Sequence, residues 1–306
     1  MPVGVTSPIA DTAAETLWWG DFDSLEAQYR AVRLSTERVD GGTVRLQWFR
    51  SGLARVFGES DATDPYFAQL EALTYAWAVE RPGSALAQLL YARALYARAW
   101  SFRGDDYASK VPAAAMGEYQ RYIKLALEQL TTHAELLKGE STASTYLAMI
   151  GRNLGWNYET LHALALEALA RNPADEGAFQ ELANASVPKW GGNARRFDAV
   201  VREATRRVLP DAGMAMYAFL YDDAAEAFDG ELFSASDVDW PTMRRGFNDW
   251  LARWPSEYML NRFALDACRA QDKPTTVELL DRVGAKPLAR AWGNRFEACR
   301  RWARSP

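Results

Sequence analysis

Three passages constrain this chain more than any other feature: "VERPGSALAQLLYA", "ARNPADEGAFQELA" and "ARWPSEYMLNRFA". Each reads as a helix end, a proline, an acidic residue or serine, then a new helix. Proline cannot extend the helix before it, having no amide hydrogen and a ring that crowds the preceding turn. A chain that stops and restarts its helices in this way, with small residues on the restarted segments, folds back as helix hairpins that stack on one another. Pro82, Pro173 and Pro255 are unequally spaced, so the repeats are degenerate and carry insertions. The expected fold is all-α, an α-solenoid of stacked antiparallel helix hairpins.

The periodicity agrees with this. From Asp21 onward apolar residues recur three and four apart, and strand-like alternation is almost absent. Leu25, Tyr29, Val32 and Arg33 fit a first helix. The stretch Asp40–Gly42 breaks it, and Thr43 is the expected cap of a second helix through Leu46, Phe49, Leu53 and Val56. Asp64 and Pro65 open a third, Ser84 opens an alanine-rich fourth, and Ala113 to Lys138 is the longest uninterrupted helical pattern. Leu161, Leu164, Leu166 and Leu169 lie on a helix that Asn172 and Pro173 stop, with Asp175 as cap of the return helix. Residues 1–20 read as an N-terminal extension and 21–306 as a single helical-repeat domain, with weak subdivisions near residues 110 and 230.

With 306 residues, 49% hydrophobic and 25% charged, the chain has the composition of a globular protein. A formal net charge of −5 argues against a sequence-independent grip on nucleic acid, which needs a concentrated positive field; only a local basic patch escapes that argument. Cys268 and Cys299 are too few for a disulfide framework and lack zinc-site spacing; two reduced, buried thiols are expected, with a single bridge between them as the open alternative. The N-terminus has no basic region followed by an apolar run, and no window approaches the roughly 20 apolar residues of a membrane span. The expected location is the cytoplasm, or the periplasm if a leader has been removed. His133 and His162 lie mid-helix outside any catalytic signature, so no catalytic residue, metal ligand or cofactor is assigned. The tripeptide Arg103-Gly104-Asp105 and the sequon at Asn184 read as coincidences of loop and helix.

Two clusters are the candidate binding residues. In "VPKWGGNARRFD", Lys189 precedes the glycines and no strand leads in, which does not fit a phosphate loop. A wide inter-helix turn is expected, with Asn193 as cap and Trp190 packed as a plug. Its functional reading is an anion or partner site formed by Lys189, Trp190, Asn193, Arg195 and Arg196. The second cluster is acidic: Asp222, Asp223, Glu226 and Asp229, with Asp222, Glu226 and Asp229 expected on one helical face. That face is either solvated or a landing site for a basic partner.

The "ALARNPADEGAFQELA" junction resembles that of tetratricopeptide repeats. The larger pattern resembles a bacterial helical family, domain of unknown function 4034. The resemblance is carried by "DGG", "RPGSALAQLLYARALYARAWSFRG", "NPADEGAFQELANASVPKWGGN", "MLNRFALDACRAQDK" and "FEACRRWA". It implies a helical-repeat fold and brings no activity with it. The functional expectation is therefore a non-enzymatic protein-binding scaffold in a bacterial cytoplasm, whose partner is another protein rather than nucleic acid or membrane. A narrower expectation is an immunity-type protein that neutralises a toxin. The alternative is a small-ligand receptor or an enzyme with its site in an aromatic-lined groove.

Overall fold

A computed structural model describes residues 7–39, 41–58, 64–104 and 108–305. The described residues are all-α apart from one two-stranded hairpin, Arg38–Val39 with Thr43–Val44. They divide into two compact units, an N-terminal one of residues 7–37 and 44–182 and a C-terminal one of 38–43 and 183–305.

The N-terminal unit begins with α1 (Pro8–Trp18), α2 (Phe22–Val32), α3 (Arg45–Phe57), α4 (Asp64–Glu80) and α5 (Ala85–Arg103). It continues through α6 (Ala113–Thr132), α7 (Ala134–Leu137), α8 (Ser141–Asn153), α9 (Tyr158–Arg171) and the start of α10 (Gly177–Ser186). Helices adjacent in sequence pack against each other, α4 on α5, α5 on α6, α8 on α9. The alanines of α5 are the reason it can lie deepest: Ala87, Ala92, Ala94, Ala97 and Ala99 are all buried, so α4 and α6 close on it from both sides. Ser84 caps α5 by accepting from the Ala87 amide. Residues 8–18, within the stretch read as an extension, form α1, which buries Ala10, Ala13 and Leu17. Gly52 is what lets α3 lie on α1, because a Cβ there would collide with the Ala10 carbonyl.

The C-terminal unit holds α11 (Ala194–Ala212), α12 (Ala215–Asp223), α13 (Leu232–Ala235), α14 (Trp240–Arg253), α15 (Glu257–Arg269), α16 (Lys273–Val283), α17 (Ala289–Trp292) and α18 (Phe296–Arg304). Its centre is α12, which packs on both α11 and α14 and buries Ala215 to Leu220 except Phe219. Phe247 of α14 stacks on Phe263 of α15 at 4.8 Å, and the Trp292 indole donates to Asn261 Oδ1 at 2.7 Å. The 38–43 segment joins this unit: the Trp250 indole donates to the Gly41 carbonyl at 2.6 Å, and the Arg38 guanidinium lies 5.4 Å from the Trp254 ring centre.

Several expectations are corrected here. Gly41 and Gly42, both at positive φ, turn a β-hairpin rather than merely ending a helix, and the residue before α3 is Val44 rather than Thr43, without a side-chain cap. The long helical pattern from Ala113 is broken at His133. The division into two compact units falls inside α10, between Leu182 and Ala183. Cys268 and Cys299 are not reduced thiols. Packing of α15 with α18 brings their Cα atoms to 5.9 Å, within bonding reach, and they form a disulfide.

Candidate functional site

The glycine turn resolves into local geometry. Pro188–Trp190 forms one 3-10 turn, and Gly191 at φ 82° takes the left-handed conformation that favours glycine. A Cβ on Gly192 would collide with the Ser186 carbonyl. The amides of Trp190 and Gly192 donate to the Val187 carbonyl, and that of Gly191 to Pro188. The amides of Trp190, Gly191 and Gly192 are therefore spent on the loop's own carbonyls rather than aimed outward as a phosphate cradle. Asn193 caps α11 by accepting from the Arg196 amide at 2.9 Å. Trp190 is half-buried rather than a closed plug, while Lys189, Arg195 and Arg196 are exposed.

The acidic cluster does not share one helical face. Asp222 and Asp223 end α12, Glu226 sits in a separate 3-10 turn (Ala225–Phe228), and Asp229 takes a left-handed conformation at φ 54°. Asp222 is buried and held by Arg262, whose Nε donates to Oδ1 at 2.8 Å and whose Nη2 lies 2.6 Å from the same oxygen. Asp223, Glu226 and Asp229 are exposed, with Glu226 Oε1 3.3 Å from Arg269. The two sequence clusters are nevertheless neighbours: the 188–190 turn contacts the 225–228 turn, and Phe197 at the start of α11 meets Phe228 edge to face at 5.5 Å.

Beside Asp222 lies Asp266, fully buried, its Oδ1 accepting from Arg269 at 3.1 Å. Burial, and then the Asp222 carboxylate beside it, pushes Asp266 well above the usual carboxylate range. Its Oδ2 has no donor, which fits an Asp266 that keeps its proton and donates it to Asp222. The N-terminal unit has a comparable buried cluster. Arg50 grips Asp175 with two bonds, 2.9 Å from Nη1 and 2.5 Å from Nη2, and also reaches Gln47 and Thr145. Burial works against the Arg50 charge, but Asp175 more than offsets it and the guanidinium stays firmly protonated. Gly177 is required beside it, since a Cβ would meet the Arg50 guanidinium at 2.5 Å. Nearby, the buried Tyr29 hydroxyl donates to Glu140 at 2.7 Å, and Arg33 pairs with the same carboxylate at 2.8 Å. These groups satisfy one another and tie elements together.

The outward surfaces are more informative. Helix α4 is apolar over most of its surface: Phe67, Leu70, Trp77 and Ala78 face inward, while Pro65, Ala72, Ala76 and Val79 face solvent with Gln69 among them and Asp64 and Glu80 at the ends. Tyr75 is 53% exposed and Val79 61%. At its flank Trp18 and Trp19 are 58% and 75% exposed, Trp18 stacking on Tyr66 of α4 at 6.0 Å. These side chains leave large apolar groups in water on more than one side of α4, and exposed apolar surface of this kind is where interaction sites are sought. None of them was among the sequence candidates. The signal was present in α4, which lacks the polar face that a solvent-exposed helix needs.

Helix α11 has the opposite character. Its outward face carries Arg195, Arg196, Arg202, Arg206 and Arg207, the first two of which are also candidate residues of the glycine-turn cluster. A cavity of about 280 Å³ opens among α1, α2 and α3, lined by Ile9, Thr12, Gln28, Val32, Arg45 and Phe49 among others. Arg45 Nε is buried there without a partner, while its Nη1 reaches Glu37 at 3.2 Å. Trp190 does not line it.

His133 Nδ1 lies 2.9 Å from the Gln129 carbonyl, and His162 stacks on Tyr158. Asn184 lies inside α10, and Asp105 falls outside the described residues. Among the described residues no three His, Cys, Asp or Glu side chains gather as a metal site, and no helix is long and apolar enough to cross a membrane. No family model, curated protein or solved structure matches this chain.

Proposed function

We propose that this chain is a non-enzymatic helical scaffold that binds another protein, with the α4 face and its flanking Trp18 and Trp19 as the docking surface. The observation that carries this reading is a helix apolar on both faces with only one face covered. Leaving Trp19 and Val79 in water is unfavourable, and a partner that covers them gains the hydrophobic free energy the fold itself leaves unused. Large aromatic anchors beside small residues also suit a tight interface, because the alanines let a partner backbone approach while the indoles fill pockets on it. The solenoid arrangement and the kinship with domain of unknown function 4034 belong to this proposal. So does the immunity-type role, in which the partner is a toxin. The Cys268–Cys299 disulfide favours an oxidising compartment over the cytoplasm for that work.

The test compares the intact chain with a Trp19→Glu, Val79→Glu double variant as bait in cells of the native organism, after crosslinking. Both positions are exposed, so unchanged helicity and melting temperature are expected in the variant. A protein captured stoichiometrically by the wild type and lost by the variant supports the reading; equal capture by both removes it.

The second reading, a small-ligand receptor, rests on the cavity among α1, α2 and α3. Ile9, Val32 and Phe49 as apolar walls, with the Arg45 side chain among the lining residues, suit a small carboxylate with an apolar body. A thermal-shift screen of such acids, with Arg45→Met as control, checks it.

A further inference from the structure

The arginines of α11 are not scattered. At about 100° per residue, Arg195, Arg202 and Arg206 fall within about 40° of one another, and Ala199 and Leu209 extend the same stripe. The side chains opposite them, Phe197, Val200, Val201, Ala204, Thr205 and Val208, are buried, so the stripe points directly away from the core. Arg196 and Arg207 flank it, both exposed.

Two features separate this stripe from an ordinary solvated helix face. The first is charge imbalance. The stretch 195–207 has five arginines against Asp198 and Glu203, and both carboxylates are engaged four residues on, Asp198 with Arg202 at 2.6 Å and Glu203 with Arg207 at 2.8 Å. Asp198 also accepts from the Tyr221 hydroxyl at 2.7 Å. Arg195 and Arg206 have no carboxylate partner among the described residues. The second feature is Leu209, which ends the stripe 46% exposed.

We infer that the α11 stripe of Arg195, Arg202, Arg206 and Leu209 binds an acidic helical segment of a partner protein, ending in an apolar residue that seats on Leu209. The charge selects the partner's sign. Guanidinium forks match carboxylates two bonds at a time, and a helix with acids at i, i+7 and i+11 presents them with the same rise of about 16 Å overall. The leucine favours a protein, since a nucleic-acid backbone offers only the small C–H faces of its sugars to cover it. A chain with a net charge of −5 also repels a long polyanion while a local patch still attracts a short one. The inference rests on the protein-binding reading and adds the partner's chemistry at a second surface.

The test uses a labelled helical peptide with glutamates at the arginine spacing and a terminal leucine, a scrambled peptide of the same composition, and a single-stranded oligonucleotide of equal charge. Binding is read by fluorescence anisotropy on the full chain, and self-association by sedimentation. Tight binding of the patterned peptide is expected, weakening as salt rises from about 50 to about 200 mM. An affinity loss of about tenfold or more is expected in Arg195→Glu, Arg202→Glu, Arg206→Glu. Leu209→Asp is expected to weaken the patterned peptide more than the scrambled one, and the milder Arg206→Ala serves if the triple variant melts early. Equal binding of the patterned peptide by wild type and variants overturns the inference. So does tighter binding of the oligonucleotide, or a dimer that the arginine changes dissolve, which would make a second copy the occupant. The Trp19→Glu, Val79→Glu chain keeps α11 intact and is expected to bind the peptide normally, so failure of the α4 reading and failure of this one give different results.

Discussion

Arg50 and Asp175 are 125 positions apart in sequence, and each is buried only because the other is there. Removing one partner leaves an uncompensated charge in a dry site, so Asp175→Ala is expected to lose roughly 3–5 kcal/mol of stability. Replacing both by apolar residues of similar volume is expected to lose much less, and urea titration of the wild type and the two variants checks the ordering. Asp266 gives the pH counterpart. Its pKa is raised in the folded state, so the native protein holds a proton that the unfolded chain has already released. The stability contributed by this group is fully present at and below the ordinary aspartate value and is lost as pH rises through the raised one, with Asp222, Arg262, Arg269 and Glu226 as the charged groups around it. Asp266→Asn keeps a donor for Asp222 and is expected to flatten that part of the profile; superimposable pH–melting curves for the two chains would refute the shared proton. Neither pairing is legible in the sequence, because nothing local connects Asp222 to Arg262, 40 positions on. Helix caps are another matter. Ser84, Asn193 and Ser256 each accept from an amide three residues later, and that interaction is written into consecutive residues.

At the scale of elements, spacing and breakers revealed most of the helices, since the three-and-four periodicity acts within one segment. The exceptions have physical causes. Helix α1 hid in a stretch of small residues, and its burial depends on Gly52 in another helix. The hairpin at Gly41–Gly42 is fixed by Trp250 and Trp254, far along the chain. Helix α18 is nine residues long, too short to persist alone, and buries only Cys299 and Ala303. Its disulfide to α15 closes a loop of 31 positions. Opening that loop by Cys268→Ser with Cys299→Ser is expected to cost about 3 kcal/mol and to expose the amides of α18 first. Hydrogen exchange along the C-terminus, with and without reductant, measures both, and uniform protection in both states would contradict it.

At the scale of the whole molecule, an acidic chain presents one strongly basic helix and one apolar helix on different units. The overall charge was legible at once, whereas its segregation onto α11 required knowing which residues the core takes. The candidate cluster at Lys189 to Arg196 runs from the glycine turn into the start of that face, at Arg195 and Arg196. Where the chain divides was not legible either, because the boundary lies inside α10, whose sequence carries no breaker there. The C-terminal unit is assembled from two separate stretches of chain, and this has a consequence for how the protein is made. Gly41 leaves the ribosome 209 residues ahead of Trp250, the side chain that fastens it. At about 5–20 residues per second that is a wait on the order of tens of seconds. Through all of it the nascent hairpin lacks its anchor, while α3 to α9 of the N-terminal unit are synthesised in the interval and can pack first.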